Sequence, residues 1–275
     1  MPGSKFCWIA LLPDMRKFLL ASASLPLFLS CSTPRYSYAP ARVNAPLLEE
    51  KNEVQANGSI SVLKGFDASA AYALTSHLGL MLNGSWRNDD QEGHVSSVEL
   101  LPPREIKYHR TSVELGIGWF SRINSSKWHF EIFAGMGKGK FSIKDVGILD
   151  INVPYSRDYD SKLTRIFIQP AFGINSSSKL QLVFFTRFQF QRYHGLQTNY
   201  SSSEMERYLI PQNSSKYYGF AEPGFSIRAY LTSMPAIGFE TNFLLSYRFD
   251  SGSMNYMPIH MSAGVHIRFQ NSRPK

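Results

Sequence analysis

The chain has 275 residues, of which 43% are hydrophobic and 18% charged, and its formal net charge is +8. Soluble domains average about 25% charged residues, so charge is scarce in this protein. No apolar run of the length of a transmembrane helix follows residue 30, which excludes a polytopic helical membrane protein, and the high apolar content excludes a disordered chain.

The first thirty residues have the pattern of an export signal. A short basic segment, Met15-Arg16-Lys17, precedes an apolar run from Phe18 to Leu29. The run leads into Leu29-Ser30-Cys31, which resembles the junction of a bacterial lipoprotein signal, where the cysteine receives the lipid. We therefore predict a leader over residues 1–30, with Met15 as the true start, and lipidation of Cys31. The alternative is a plain signal peptide with an incidental cysteine.

The next segment, residues 31–53, contains Pro34, Pro40 and Pro46 and shows little periodicity. Such a composition is typical of an extended linker. The sequence therefore predicts a lipid-anchored, Pro-rich tether between Cys31 and the folded body of the protein.

From Val54 onward, apolar and polar residues alternate with a period of two. Between 111 and 120, for example, Val113, Leu115 and Ile117 share one face, and Glu114 lies on the other. Alternation of this kind is the signature of strands with one apolar and one polar face. Ten segments follow the pattern: 54–62, 66–74, 77–86, 109–120, 128–140, 163–175, 179–193, 217–231, 237–249 and 259–269.

The connections between these segments alternate in length. Those near 75–76, 122–127, 176–178 and 232–236 are short, whereas 87–107, 141–162, 194–216 and 250–258 are longer and polar. Short turns at one end and long loops at the other are typical of an outer-membrane barrel. An even strand number puts both ends of the barrel on the short-turn side, where a periplasmic tether would attach.

Alternation alone is compatible with a soluble barrel, which buries its apolar face, or with a membrane barrel, which turns that face to lipid. Three features favour the membrane barrel. The polar face carries arginine and glutamate with little lysine, which suits an enclosed, paired network rather than a solvated surface. It is also rich in glycine, which leaves room for large charged side chains. Aromatic residues cluster near the predicted strand ends, as in interfacial girdles.

The charged residues that the pattern places in this lumen network are Glu114, Glu131, Glu222, Glu240, Arg165, Arg187, Arg228, Arg248 and Arg268. The predicted girdle consists of Trp86, Trp119, Trp128, Tyr193, Tyr218, Tyr230, Tyr247 and Phe269.

The chain resembles small porin-like outer-membrane β-barrel proteins of Gram-negative bacteria, of the lipoprotein-tagged type common in Bacteroidetes. The segment Ser262 to Phe269 carries the resemblance, because Gly264, Ile267 and Phe269 match the C-terminal signal that the barrel-assembly machinery reads. A tail, residues 270–275, follows the terminal aromatic. The resemblance covers residues 54–269 and implies a single antiparallel up-and-down barrel with a polar lumen, in contact with outer-membrane lipid.

One motif suggests chemistry. His260 and Ser262 are two residues apart in a strand, which resembles the His-x-Ser of outer-membrane lipid A deacylases. A group that acts on lipid must face lipid, however. Met261 and its apolar neighbours occupy the outer face of the strand, which turns His260 and Ser262 inward. We also predict no metal site at the inward His129 and His266, because no cysteine or close carboxylate accompanies them.

The sequence thus predicts an all-β outer-membrane barrel lipoprotein without enzymatic activity, with no cofactor and no nucleic-acid partner, acting as a monomer. Its lumen is expected to be largely filled by side chains, since barrels of about this strand number have little interior space. The expected role is structural or binding, through the extracellular loops, with the N-terminal lipid anchor on the periplasmic side. A lipid A-modifying enzyme using His260 and Ser262, or a narrow small-solute pore, are the alternatives.

Overall fold

The computed structural model of the protein describes residues 36–62, 64–93, 104–123, 127–149, 153–177, 179–212 and 215–269. These residues form eleven strands and one short helix. The elements are β1 (Val54–Ser61), β2 (Gly65–Ala73), β3 (Leu78–Gly93), β4 (Arg104–Ile123), β5 (Trp128–Leu149), β6 (Val153–Ser177), β7 (Leu180–Thr198), α1 (Ser202–Arg207), β8 (Tyr217–Tyr230), β9 (Ile237–Leu245), β10 (Tyr247–Arg248) and β11 (Ile259–Phe269).

The strands form one closed sheet. Strands β1 to β9 pair antiparallel in sequence order, and β9 and β10, which follow one another across Ser246, both pair with β8 and make a single barrel strand. β11 pairs with β9 on one side and with β1 on the other, where Val54 lies opposite Phe269. The predicted fold, an antiparallel up-and-down barrel of ten strands, is therefore confirmed.

The barrel has two distinct ends. At the turn end lie the connections 74–77, 124–127, 178–179 and 231–236. At the loop end lie the connections 62–64, 94–103, 150–152, 199–216 and 249–258.

The outer face of the barrel wall is apolar and the inner face polar. In β4, Val113 and Leu115 are more than half exposed, whereas Glu114 between them is 3% exposed. In β7, Phe184 is exposed and Arg187 is buried. A belt of exposed apolar side chains around a polar interior is the arrangement of a barrel that spans a membrane, because a soluble barrel buries its apolar face.

Several strands continue further towards the loop end than the alternation predicted. β3 reaches Gly93, and β6 extends over 25 residues. Most of the predicted loops at 87–107 and 141–162 is therefore strand, and the prediction was wrong there. Outward positions in these extensions carry charged side chains such as Lys144 and Asp160, so the alternation fades although the backbone ladder continues.

The helix α1 lies in the connection between β7 and β8. Its N-cap, Ser201, accepts a hydrogen bond from the Glu204 N–H, and the Glu204 carboxylate accepts from the Ser201 N–H, which completes a capping box. That donation from the Ser201 backbone lowers the pKa of Glu204. Among the residues described, no helix has the length and apolarity needed to cross a membrane.

The described part of the predicted tether, residues 36–53, lies inside the barrel, and we call it the plug. At the loop end, the Ser37 N–H donates to the Asn255 carbonyl at 3.0 Å. At the turn end, Glu49 accepts from the Asn175 side-chain amide at 3.3 Å. The plug thus runs the length of the lumen, from loop end to turn end, before the chain enters β1.

For residues 36–53, the prediction of an extended tether leading to the barrel is corrected. Val43, Ala45, Leu47 and Leu48 are almost completely buried by the barrel wall. The linker-like composition correctly indicated that the segment has no strand or helix of its own. Its backbone groups still need hydrogen-bond partners, and the polar inner face of the wall supplies them.

The exposed apolar belt predicts that a charged residue in place of Phe184 impairs folding into the membrane. Placing arginine on the lipid-facing side near the membrane midplane costs about 2–4 kcal/mol. We expect Phe184→Arg to lower the yield of folded barrel in lipid vesicles, measured by the mobility difference between folded and heated protein. Gln197→Arg, which adds the same charge at an exposed position beyond the belt on β7, is the control and should fold like the parent. Equal yields of the two variants would contradict a lipid-facing belt.

Candidate functional site: the plugged lumen

Aromatic side chains close the loop end of the lumen around the plug. Tyr38 stacks on Phe220 with ring centroids 4.0 Å apart, and the Tyr193 hydroxyl donates to the Ser37 carbonyl at 2.6 Å. Tyr193 in turn meets Tyr218 edge to face. Tyr193 and Tyr218 are buried inside the barrel, so their assignment to an interfacial girdle was wrong.

Tyr230 also faces the lumen, since its hydroxyl donates to Gln181. The other five predicted girdle residues are exposed: Trp86, Trp119, Trp128, Tyr247 and Phe269. The sequence pattern could not separate the two groups, because an aromatic residue near a strand end suits a membrane interface and a plug equally well.

Below this aromatic layer, one carboxylate joins two arginines from other strands. Glu114 of β4 accepts from Arg165 of β6 and from Arg187 of β7, each at 2.6 Å. All three side chains are almost fully buried. Glu222 lies nearby and accepts from the Tyr38 hydroxyl of the plug.

A second charged cluster includes a residue of the plug itself. Glu240 of β9 accepts from Arg42 of the plug at 2.6 Å and lies 3.4 Å from the Arg228 guanidinium. Arg228 also donates to the plug carbonyls of Ala45, at 2.6 Å, and Pro46, at 3.2 Å. This cluster fixes the plug by side chain and by backbone at the same level.

Two leucines of the plug fill space that glycines of the wall leave open. A Cβ added at Gly173 would lie 1.9 Å from Leu47 Cδ1, and one added at Gly79 would lie 2.6 Å from Leu48 Cδ1. Glu131, predicted to belong to the arginine network, instead accepts from the Leu47 N–H at 2.7 Å. The glycines were expected to make room for charged side chains, and at these two positions they make room for the plug.

At the turn end, Arg268 holds the last residues of the plug. It pairs with Glu53 at 2.7 Å and with Glu49 at 2.8 Å. Arg248 lies at the opposite end, where it pairs with Asp250 at 3.3 Å and donates to the Met254 carbonyl at 3.0 Å. These two arginines are therefore not part of a common cluster.

His260 and Ser262 face the lumen and are 1% and 6% exposed. The His260 ring lies 3.4 Å from the Ser61 hydroxyl and 3.9 Å from an Asp67 oxygen, and Arg87 pairs with that carboxylate at 3.1 Å. Productive hydrogen bonds between a base and its partners are about 2.6–3.2 Å long. The arrangement is a buried polar cluster that a lipid acyl chain in the membrane cannot reach.

The predicted assembly signal lies on β11. Gly264 lies where β11 meets β1, and a Cβ there would be 2.2 Å from the Gly58 carbonyl oxygen. Ile267 is partly buried and Phe269 is exposed at the turn end. Cys31 and the tail 270–275 lie outside the described residues.

Among the described residues, sequence reasoning missed several charged residues that complete the lumen, including Arg42, Glu53, Asp67 and Arg87. Asp67 is in phase with the inward positions of β2, so the alternation contained a signal for it. Arg87 lies just past the predicted end of its strand. The plug residues Arg42 and Glu53 gave no signal, because no periodicity predicts that a linker-like segment is buried.

Two cavities beside the plug have volumes of only about 20 and about 10 Å³. The first is lined by Tyr38, Arg110 and Tyr193, among others, and the second by Arg42, Asp67 and Glu114. Each offers space for about one water molecule. The plug and the inward side chains therefore leave little free volume at these levels of the lumen.

No protein-family model and no curated protein matches the chain. Solved structures that it is similar to include the outer membrane protease OmpT from Escherichia coli, at 9% identity and a TM-score of 0.49, covering 87% of this chain and 100% of that one. The N-terminal β-barrel domain of Pseudomonas aeruginosa OprF has 12% identity and a TM-score of 0.33, covering 80% and 100%. A major outer membrane protein from Thermus thermophilus has 12% identity and a TM-score of 0.34, covering 79% and 98%. All three scores lie below 0.5, and the barrel fold is established by this chain's own strand pairing.

The pairing of Glu114 with two arginines predicts a large effect of its removal. Glu114→Gln leaves Arg165 and Arg187 buried without a carboxylate, and breaking such a buried pair costs about 3–5 kcal/mol. We expect a clear fall in the unfolding temperature of the barrel in detergent, followed by circular dichroism. The control is Glu105→Gln, which breaks the exposed pair with Lys107 and should cost about 0–1 kcal/mol. Similar melting of both variants would show that the inner face is solvated.

Proposed function

We propose that the protein is an outer-membrane β-barrel with a closed lumen, which acts as a structural or binding protein through its loop end. The plug is the observation that carries this proposal. It runs through the whole lumen and is held at every level, by Tyr38, by Arg42 and by Leu47. A lumen filled in this way has no path of the width that open porins provide.

The described part of the loop end is suited to contact with partners, because extended strands and a capped helix support the connections there. Arg157 of β6 pairs with Glu204 of α1 at 3.0 Å, which ties the helix to the wall. Tyr159 of β6 donates to the Pro211 carbonyl at 3.1 Å and holds the following segment. A partner would therefore meet a largely preformed surface, as rigid binding sites require.

The two alternatives receive less support. A lipid A-modifying enzyme would need His260 and Ser262 on the lipid face, where Met261 lies instead, half exposed. A narrow pore would need the plug to move, because Leu47 and Leu48 fill the lumen against Gly173 and Gly79. The proposal that the protein is not an enzyme rests on the same burial of His260.

The lipid anchor at Cys31 and the kinship with lipoprotein-tagged barrels of Bacteroidetes stay predictions from the sequence. The direction of the plug changes the proposed side of the anchor. Tyr36 lies at the loop end, where Arg110 donates to its carbonyl. Cys31 precedes Tyr36 by five residues, which span at most about 18 Å, whereas the apolar band of a membrane barrel is about 25 Å tall. We therefore propose that an anchor on Cys31 lies on the extracellular side, not on the periplasmic side.

The closed lumen predicts the electrical behaviour of the protein. In planar lipid bilayers the wild-type barrel should show no steady ion conductance. Gly173→Ile should produce channel openings, because its Cβ takes the place of Leu47 Cδ1 and displaces the plug. Gly84→Ile is the matched control, since the nearest atoms to a Cβ there are 4.0 Å away. Steady conductance of the wild-type protein would refute the closed lumen, whatever the variants do.

The direction of the plug predicts which of its ends is reached from outside the cell. In intact cells, a membrane-impermeant maleimide should label Tyr36→Cys but not Lys51→Cys, and permeabilisation should expose Lys51→Cys. The parent protein is the control, because an acylated Cys31 has no free thiol and Cys31→Ala should take up no labelled fatty acid. Labelling of Lys51→Cys but not of Tyr36→Cys in intact cells would reverse the proposed direction.

A further inference from the structure

The outer face of β5, β6 and β7 carries a cluster of basic side chains directly beyond the apolar belt. The last apolar row of the belt contains Met136, Ile166 and Phe190, which lie opposite one another across these strands and are exposed. The basic residues of the next two rows towards the loop end form what we call the cationic patch: Lys138, Lys140, Lys162, Arg192 and His194.

Strand register brings like charges together in this patch. Lys140 of β5 lies directly opposite Lys162 of β6, and Lys162 lies opposite His194 of β7. Directly opposite residues have Cβ atoms about 4.5–5.5 Å apart, and like charges in such positions destabilise a sheet. Lys138, Lys140 and Lys162 are exposed, and among the described residues none of these three lysines makes an ion pair with a carboxylate. Within the described residues, no carboxylate at ion-pair distance therefore offsets the repulsion between Lys140 and Lys162.

The depth of the patch indicates where an anion would come from. On β5 the outward apolar residues run from Trp128 to Met136, and eight residues of a strand tilted by about 40° span about 20 Å across the membrane. Lys138 and Lys140 follow at once, at the level where lipid headgroups lie. On the opposite side of the barrel, Ile60 of β1 and Val62 just after it are apolar and exposed at the same end. The patch is thus absent from this sector of the wall.

A polar groove continues the patch away from the membrane. It has a volume of about 400 Å³ and is lined mainly by outward residues of β3 to β6, including Asn88, Asp90, Lys107, Lys144 and Asp160. Ser142 and Asp160 lie two residues beyond Lys140 and Lys162 on the same face. Asp90 and Asp160 in the groove can accept hydrogen bonds from sugar hydroxyls, and Lys107 and Lys144 continue the basic character of the patch along it.

We propose that the cationic patch binds the phosphorylated sugar headgroup of an outer-leaflet glycolipid, of the lipid A class. The ammonium groups of Lys138, Lys140 and Lys162 bind the phosphates, the sugar extends into the groove, and the acyl chains lie against Met136, Ile166 and Phe190. Ion pairs with phosphate replace the repulsion between Lys140 and Lys162 by attraction. The proposal is independent of the plug and of the anchor at Cys31.

The test uses the full-length barrel in detergent and measures its unfolding temperature as diphosphoryl lipid A is added. The wild-type protein should be stabilised in a saturable way. The variant Lys138→Gln/Lys140→Gln/Lys162→Gln should need at least about tenfold more lipid for the same stabilisation, since it loses the charge-assisted contacts of three ammonium groups with phosphate. The matched control, Lys51→Gln/Lys64→Gln/Lys127→Gln, removes the same charge from turns elsewhere and should respond like the wild type.

Two further probes identify the ligand. Dephosphorylated lipid A should stabilise the wild-type barrel much less than the diphosphoryl form, and inorganic pyrophosphate should not compete with the lipid at equal concentration. The proposal is overturned if the patch variant responds like the control, or if removal of the phosphates makes no difference. Competition by pyrophosphate at equal concentration would also overturn it, because the patch would then be a site for free phosphate.

Discussion

An arginine inside a narrow barrel has lost most of its water, so its charge must be met by a carboxylate on another strand or on the plug. Glu114 meets this requirement for Arg165 and Arg187, and Glu240 meets it for Arg228 together with Arg42 of the plug. Each carboxylate connects elements that are distant in sequence. Pairing therefore ties the wall to itself across the lumen and ties the plug to the wall.

The plug satisfies a second requirement, which is to fill the space that paired charges leave. A barrel of ten strands is too narrow for a wide channel yet too wide for its own inward side chains to fill everywhere. Glycines at 79 and 173 leave open volume in the wall, and Leu48 and Leu47 occupy it. Because the plug backbone also accepts hydrogen bonds from Arg228, displacing it would leave both a cavity and buried unpaired groups.

The outer face is in contact with hydrocarbon, a solvent without hydrogen-bonding groups, and therefore carries apolar side chains. Its apolar belt ends abruptly at Met136 and Ile166, and the basic residues Lys138 and Lys162 follow on the same two strands. This change marks the boundary between hydrocarbon and headgroups on one sector of the wall. The inner face shows no such boundary, since buried charged residues occur on it from Arg165 near the loop end to Glu131 and Arg268 near the turn end.

The alternation along the chain was enough to predict the strand order, the inward and outward faces and most of the lumen charges. These features depend on a period of two, which is a local property of a strand and is maintained wherever one face meets hydrocarbon. The alternation ends where the outer face of the barrel no longer meets hydrocarbon. The loop-end extensions of β3 and β6 were therefore wrongly predicted as loops.

The position of residues 36–53 and the carboxylate that pairs with each arginine depend on the tertiary structure. Glu131 has the same residue type and the same inward phase as Glu114, yet it binds the plug backbone at Leu47 rather than an arginine. Partner choice depends on register across several strands and on the path of a segment without periodicity. Both are set by closure of the barrel around the plug, and no local pattern in the chain encodes them.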